Sequence, residues 1–96
     1  MTLNPSDVLD KVASIIAERA QTHGDYRDTF QMTADIWSAY LGTPITPVQV
    51  CVLNALQKLA RDQNSEDCNP DNLDDGTGYL AIGAAIQQAK NEKTKM

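Results

Sequence analysis

Each of the four prolines in this chain stands directly after an Asn or a Thr, and three of these pairs, Asn4-Pro5, Thr46-Pro47 and Asn69-Pro70, lead into a run of helical spacing. Each of the three reads as the start of a helix. An Asn or Thr side chain caps the free N–H groups of a first turn, and proline fits the first helical position because the N–H it lacks has no partner there. Gln49 completes a capping box with Thr46, and Asp7 in one first turn and Asp71, Asn72, Asp74 and Asp75 in another suit the positive end of a helix. Gly24, after His23, and Gly42, after Leu41, supply stops.

Between these marks the apolar residues recur at helical spacing. Val8, Val12, Ile15, Ile16 and Arg19 predict a first helix over about 5–21. Phe30, Thr33, Ala34, Trp37, Tyr40 and Leu41 predict a second over 27–41, capped by Asp25 or Asp28. Val48, Val52, Ala55, Leu56 and Leu59 predict a third over 47–62, and a fourth runs over 70–90, leaving a polar, frayed tail at 91–96. The fold class is therefore all-α: one domain over 1–96, a compact bundle of about four helices with a single modest core. Trp37 and Tyr40 keep helical spacing with aliphatics and read as core or subunit-interface anchors.

The fourth helix is thin and apolar at once. Gly76, Gly78 and Gly83 stand beside Ala81, Ala84 and Ala85, while Leu73, Tyr79, Leu80, Ile82 and Ile86 make it apolar nearly all round. Each interior glycine costs about 1 kcal/mol of helix stability relative to alanine, so close packing must offset it. Four short helices do not cover such an element. A homodimer sharing this helix is the expected assembly.

A net charge of −5 with no Lys/Arg stripe argues against direct DNA or RNA binding, although a single nucleotide needs only a local cationic spot. No apolar stretch approaches the ~20 residues of a membrane span, and no signal peptide is evident. The expectation is a soluble cytoplasmic protein with Cys51 and Cys68 as reduced thiols. A lone His23 and the lack of a C-x-x-C pair speak against zinc. With neither a Gly-x-Ser-x-Gly elbow nor a Gly-rich phosphate loop, covalent catalysis has little support, and metal-assisted hydrolysis is the best remaining enzyme class.

Two clusters can carry chemistry. In His23-Gly24-Asp25-Tyr26, with Arg27 and Asp28 nearby, an imidazole and a carboxylate on a glycine turn can bind a metal, position water or accept a proton. A helix end followed by an N-cap requires the same Gly and Asp. The second cluster sets Lys58 and Arg61, on one face of helix three, against Asp71, Asn72 and Asp75 at the start of an antiparallel helix four. Asp71 and Asp75 can hold Mg²⁺ while Lys58 and Arg61 clamp phosphate, the minimum set for a nucleoside triphosphate. Equally, the two cations can neutralise Asp75 and Asp71 as interhelical ion pairs, worth about 0–1 kcal/mol each when exposed.

The string His23-Gly24-Asp25, Phe30, Ala34 to Gly42 (ADIWSAYLG), Ile45-Thr46, Lys58-Leu59-Ala60-Arg61 and Asp71 to Tyr79 (DNLDDGTGY) resembles a family of small uncharacterised phage and prophage proteins, over roughly residues 15–86. The resemblance implies a phage origin and a compact helical fold. It singles out His23, Asp25, Lys58, Arg61, Asp71, Asn72, Asp75 and Tyr79. More distantly, the layout is similar to the all-α nucleotide pyrophosphohydrolases of the MazG type. Those proteins set a Glu-x-x-Glu pair against a Glu-x-x-Asp pair to hold Mg²⁺ around a triphosphate. Here Lys58 and Arg61 replace the first pair and Asp71 and Asp75 keep half of the acidic set, which puts hydrolysis in doubt and makes a binding or regulatory derivative at least as plausible as an enzyme.

Two functions follow as expectations. One is a phage accessory protein of nucleotide metabolism, with Lys58 and Arg61 on phosphate, Asp71 and Asp75 on Mg²⁺, Asn72, His23 and Tyr79 orienting base or water, and Asp25 beside them. The other is a non-enzymatic host-takeover or anti-defence protein whose acidic run, six acids and no base from Asp62 to Asp75, docks on a basic host protein.

Overall fold

The computed structural model describes residues 4–64, 69 and 71–95. They form α1 (Pro5–His23), α2 (Tyr26–Leu41), α3 (Pro47–Asn64) and α4 (Asp71–Lys95), and the described residues contain no strand. The all-α, four-helix architecture read from the sequence is the one observed.

The helix ends are built as the local chemistry requires. Thr46 and Gln49 exchange backbone-to-side-chain bonds of 2.9 and 3.1 Å, closing the capping box of α3. The Asn4 N–H donates to the Asp7 carboxylate at 3.0 Å. Asn69 accepts the N–H of Asp71 at 3.0 Å and so caps α4, while Pro70 and Cys68 lie outside the described residues. Gly24 and Gly42 end α1 and α2 at φ +80° and +71°, a backbone region that side chains with a Cβ rarely enter. One boundary departs from the sequence reading: α4 runs past residue 90 and takes in the tail expected to fray. Residues 91–95 hold neither Gly nor Pro, so nothing in them stops a helix already nucleated.

The broadest interface joins α3 to α4, with α2 laid on α3 and α1 on α4. The α3/α4 pair is antiparallel: Gly76 lies against Ala55 and Lys58, and Gly83 against Cys51. A Cβ on Gly83 would stand 3.0 Å from the Cys51 Cβ, so this glycine is what lets the two backbones approach. On another side of α4, Gly78 faces Val12 and Ile16 of α1. The core is small, with Val12, Ala34, Val50, Cys51 and Ala55 as its buried apolar residues. Trp37 is half-buried, but Tyr40 is 88 % exposed and is not a core residue of the single chain. Among the described residues, no helix is long and apolar enough to cross a membrane.

Candidate functional site

α1 and α2 are joined by only two residues, Gly24 and Asp25, yet they are not one of the well-packed pairs. They diverge over α4 and leave a groove of about 240 Å³ between the three helices. Its walls are apolar: Val12, Ile15 and Ile16 from α1, Phe30 from α2, and Gly78 and Ile82 from α4. Phe30 and Tyr79 meet edge to face, ring centroids 6.2 Å apart and planes at 88°, which ties α2 to α4 across the groove. Tyr26 adds a third ring, with the Arg27 guanidinium 5.5 Å from its centre.

The polar groups of the groove come from two helices. Arg19 and His23, four residues apart and so on one face of α1, line it together with Asp74 and Asp75 of α4. The two carboxylates are already paired. Lys11 of α1 donates to Asp74 at 2.9 Å, a bond that holds the lysine above its ordinary pKa, and Lys58 of α3 meets Asp75 at 3.1 Å.

Of the residues singled out in the sequence, His23, Asp75 and Tyr79 converge on the groove. Lys58 reaches it only through Asp75, so this half of the charged seam is an interhelical ion pair. Arg61 and Asp71 are exposed and form no ion pair among the described residues. Asn72 is buried one turn before Gly76, on the side of α4 that meets α3. Asp25 serves as the N-cap of α2: it accepts the Arg27 N–H at 2.9 Å, which holds its carboxyl below the ordinary range, and its Oδ1 also takes the Arg27 guanidinium at 3.3 Å. The centre of the acidic run, residues 65–68, lies outside the described residues.

Arg19, Phe30 and Asp74 line the groove without having been picked out as a site, whereas Tyr26 lines it as the last residue of the His23–Tyr26 cluster. One signal was available for Arg19. It is a cation on the apolar stripe of α1, one turn before the lone histidine.

The two carboxylates of the groove, which include only one of the expected Mg²⁺ pair Asp71 and Asp75, do not converge on one point. Asp74 and Asp75 are consecutive on a helix, about 100° apart around its axis, and each is drawn to a lysine on a different neighbour. A magnesium site needs oxygens converging on one point with their charge unspent. The Cys51 thiol, buried against α4, is pushed up to about 11 by desolvation, which keeps it protonated and unreactive at neutral pH.

The chain belongs to the family described as a domain of unknown function, DUF6378, whose sequence profile matches residues 7–87. It is 31 % identical over 80 residues to the Gene 55 protein of Mycobacterium phage L5, an alignment covering 82 % of this chain and 51 % of that relative. The chain thus spans about half the length of the phage protein it matches. No solved structure matches it. The resemblance to phage proteins is supported at the level of the family.

Proposed function

We propose that this protein is a phage accessory protein that binds a nucleotide in the groove between α1, α2 and α4. The observation that carries the reading is the meeting, in one apolar groove, of an aromatic wall with a guanidinium and an imidazole one helical turn apart. Phe30, Tyr79 and Tyr26 offer ring surfaces on which a base can stack, a contact worth about 1–3 kcal/mol per base. Arg19 supplies a two-pronged donor matched to phosphate oxygens, and His23 adds a second donor beside it. The likeness to MazG-type proteins rests on the sequence pattern alone. It accords with a nucleotide as ligand, while the paired state of Asp74 and Asp75 favours binding over metal-assisted turnover.

This reading sets the site on the far side of α4 instead of at the α3/α4 seam expected from the sequence. Calorimetry against ribo- and deoxynucleoside mono- and triphosphates, with and without Mg²⁺, tests both positions. Arg19→Ala should weaken binding by about tenfold or more, the loss of one charged hydrogen-bonded contact. Lys58→Ala/Arg61→Ala should leave affinity within about threefold while lowering the melting temperature. No heat and no thermal stabilisation with any nucleotide would overturn the proposal, as would binding that depends on Lys58 and Arg61 but not on Arg19.

A further inference from the structure

We infer that the outer face of the α3/α4 pair is the docking surface for a second copy of this chain. The register of the two helices defines that face. Cys51, Ala55 and Lys58 of α3 look towards Gly83 and Gly76 of α4. One residue further along α3 stand Val52, Leu56 and Leu59, turned by about 100°. On α4 the same rotation from Gly76 and Gly83 brings Thr77 and Ala84, flanked by Leu73 and Leu80. Because the helices are antiparallel, equal rotation along each turns to the same side of the pair, so these residues form one surface. α1 and α2 lie on the opposite side, where Val50 is fully buried and Asp75 and Ile82 line the groove.

The face is apolar and bare. Val52, Leu56, Leu59, Leu73 and Leu80 are between 40 % and 53 % exposed. The chain as a whole is under-buried as well: its accessible surface, summed over all residues, is 7316 Å², against roughly 5,400 Å² for a folded monomer of this mass. The excess is more than twice the ~800 Å² that each partner buries in a standard interface.

Charge identifies the partner. Among the described side chains of this face, the polar ones, Gln63, Thr77, Gln88 and Asn91, are neutral, although the chain carries a net −5. Two copies of an acidic protein meet with least repulsion through a surface that adds no like charges to the contact, and the described side chains of this face meet that condition. The other exposed apolar stripe, Met32, Ile36 and Tyr40 on α2, does not. Asp28 and Asp35 stand within it, and pairing it with itself would bring acid against acid. Thr77, Ala81 and Ala84 also keep α4 slim at the centre of the face. A twofold contact there joins α3 and α4 to the same pair of the second copy in a four-helix layer.

Sedimentation equilibrium on the full chain, across a concentration series, tests this. The wild type should weigh twice the 10.5 kDa chain mass. Leu80→Lys and Leu56→Lys, both at exposed positions, should keep the helical circular dichroism spectrum and weaken the dimer by about a hundredfold or more, since symmetry places each lysine in the contact twice. Ile36→Lys should leave the dimer intact. The groove lies across the molecule, so Leu80→Lys should also retain any ligand response that Arg19→Ala weakens. Hydrogen exchange of the wild type, with slower exchange in α3 and α4 at high concentration, gives a measurement independent of the variants. A wild-type chain that stays monomeric to about 100 µM overturns the inference and leaves the face to a different protein. Dissociation by Ile36→Lys but not by Leu80→Lys overturns it too.

Discussion

The Ser38 hydroxyl accepts the N–H of Ile45 at 2.8 Å and donates to the carbonyl of Ala34 at 2.7 Å. One side chain thus fixes the corner between α2 and α3 while staying within its own helix. Ser38→Ala leaves the Ile45 N–H in a half-buried corner without that partner, and should cost about 1–3 kcal/mol. Urea unfolding should show a lower midpoint at unchanged slope; an unchanged midpoint would mean that water replaces the hydroxyl at no cost. Asp25 is a second residue whose local role is explicit. The sequence allowed it to be a ligand or a cap, and the bond from the Arg27 N–H uses it as a cap. His23, two residues before it, remains available because Gly24 turns the chain and leaves the imidazole at the groove.

At the scale of the helices, α4 is shaped by where its glycines are. Gly83 and Gly76 both face α3, but the space beside them differs. A Cβ at Gly83 meets the fully buried Cys51 at 3.0 Å, whereas at Gly76 its nearest neighbours are at 3.8 and 3.9 Å, an ordinary contact distance. Opposite effects should follow. Gly83→Ala forces α3 and α4 apart and should destabilise by about 1–3 kcal/mol, overpacking outweighing the gain in helix propensity. Gly76→Ala should be neutral or stabilise by up to about 1 kcal/mol, since only the propensity changes. Thermal unfolding of the two variants checks the pair, and equal destabilisation of both would show that the α3/α4 spacing is not set at Gly83.

The whole molecule integrates these local charges into a dependence of stability on pH. The Asp25 carboxyl is held below its ordinary 3.8, chiefly by the Arg27 N–H. Its contribution is therefore complete above pH 3.8 and is lost as the pH falls through the lower folded value. Lys11 is held above its ordinary 10.5, chiefly by its hydrogen bond to Asp74, so its contribution is complete below pH 10.5 and is lost as the pH rises through the raised value. Melting temperature against pH should show a plateau between these limits. Asp25→Asn keeps a good cap but removes its titration and should shallow the acid limb, while Lys11→Met should shallow the alkaline one. Curves that superimpose on the wild type after normalisation would show that neither group contributes to the slope.

The caps, stops and apolar periods were legible in the sequence because they act within a few residues: Asn4, Thr46 and Asn69 start helices, Gly24 and Gly42 end two of them, and the four-helix, all-α class follows. The ion pair between Lys58 and Asp75 was legible as one of two alternatives, since spacing puts the groups on facing helices without saying whether they close on each other. What tertiary structure alone decided is which faces are covered. That α1 and α2 diverge, so that Arg19 and His23 share a groove with Phe30 and Tyr79, depends on how three helices cross. The bare outer side of α3 and α4 likewise depends on both helices being placed at once. Helical period fixes a residue's angle on its own helix, but only packing fixes what stands opposite that angle.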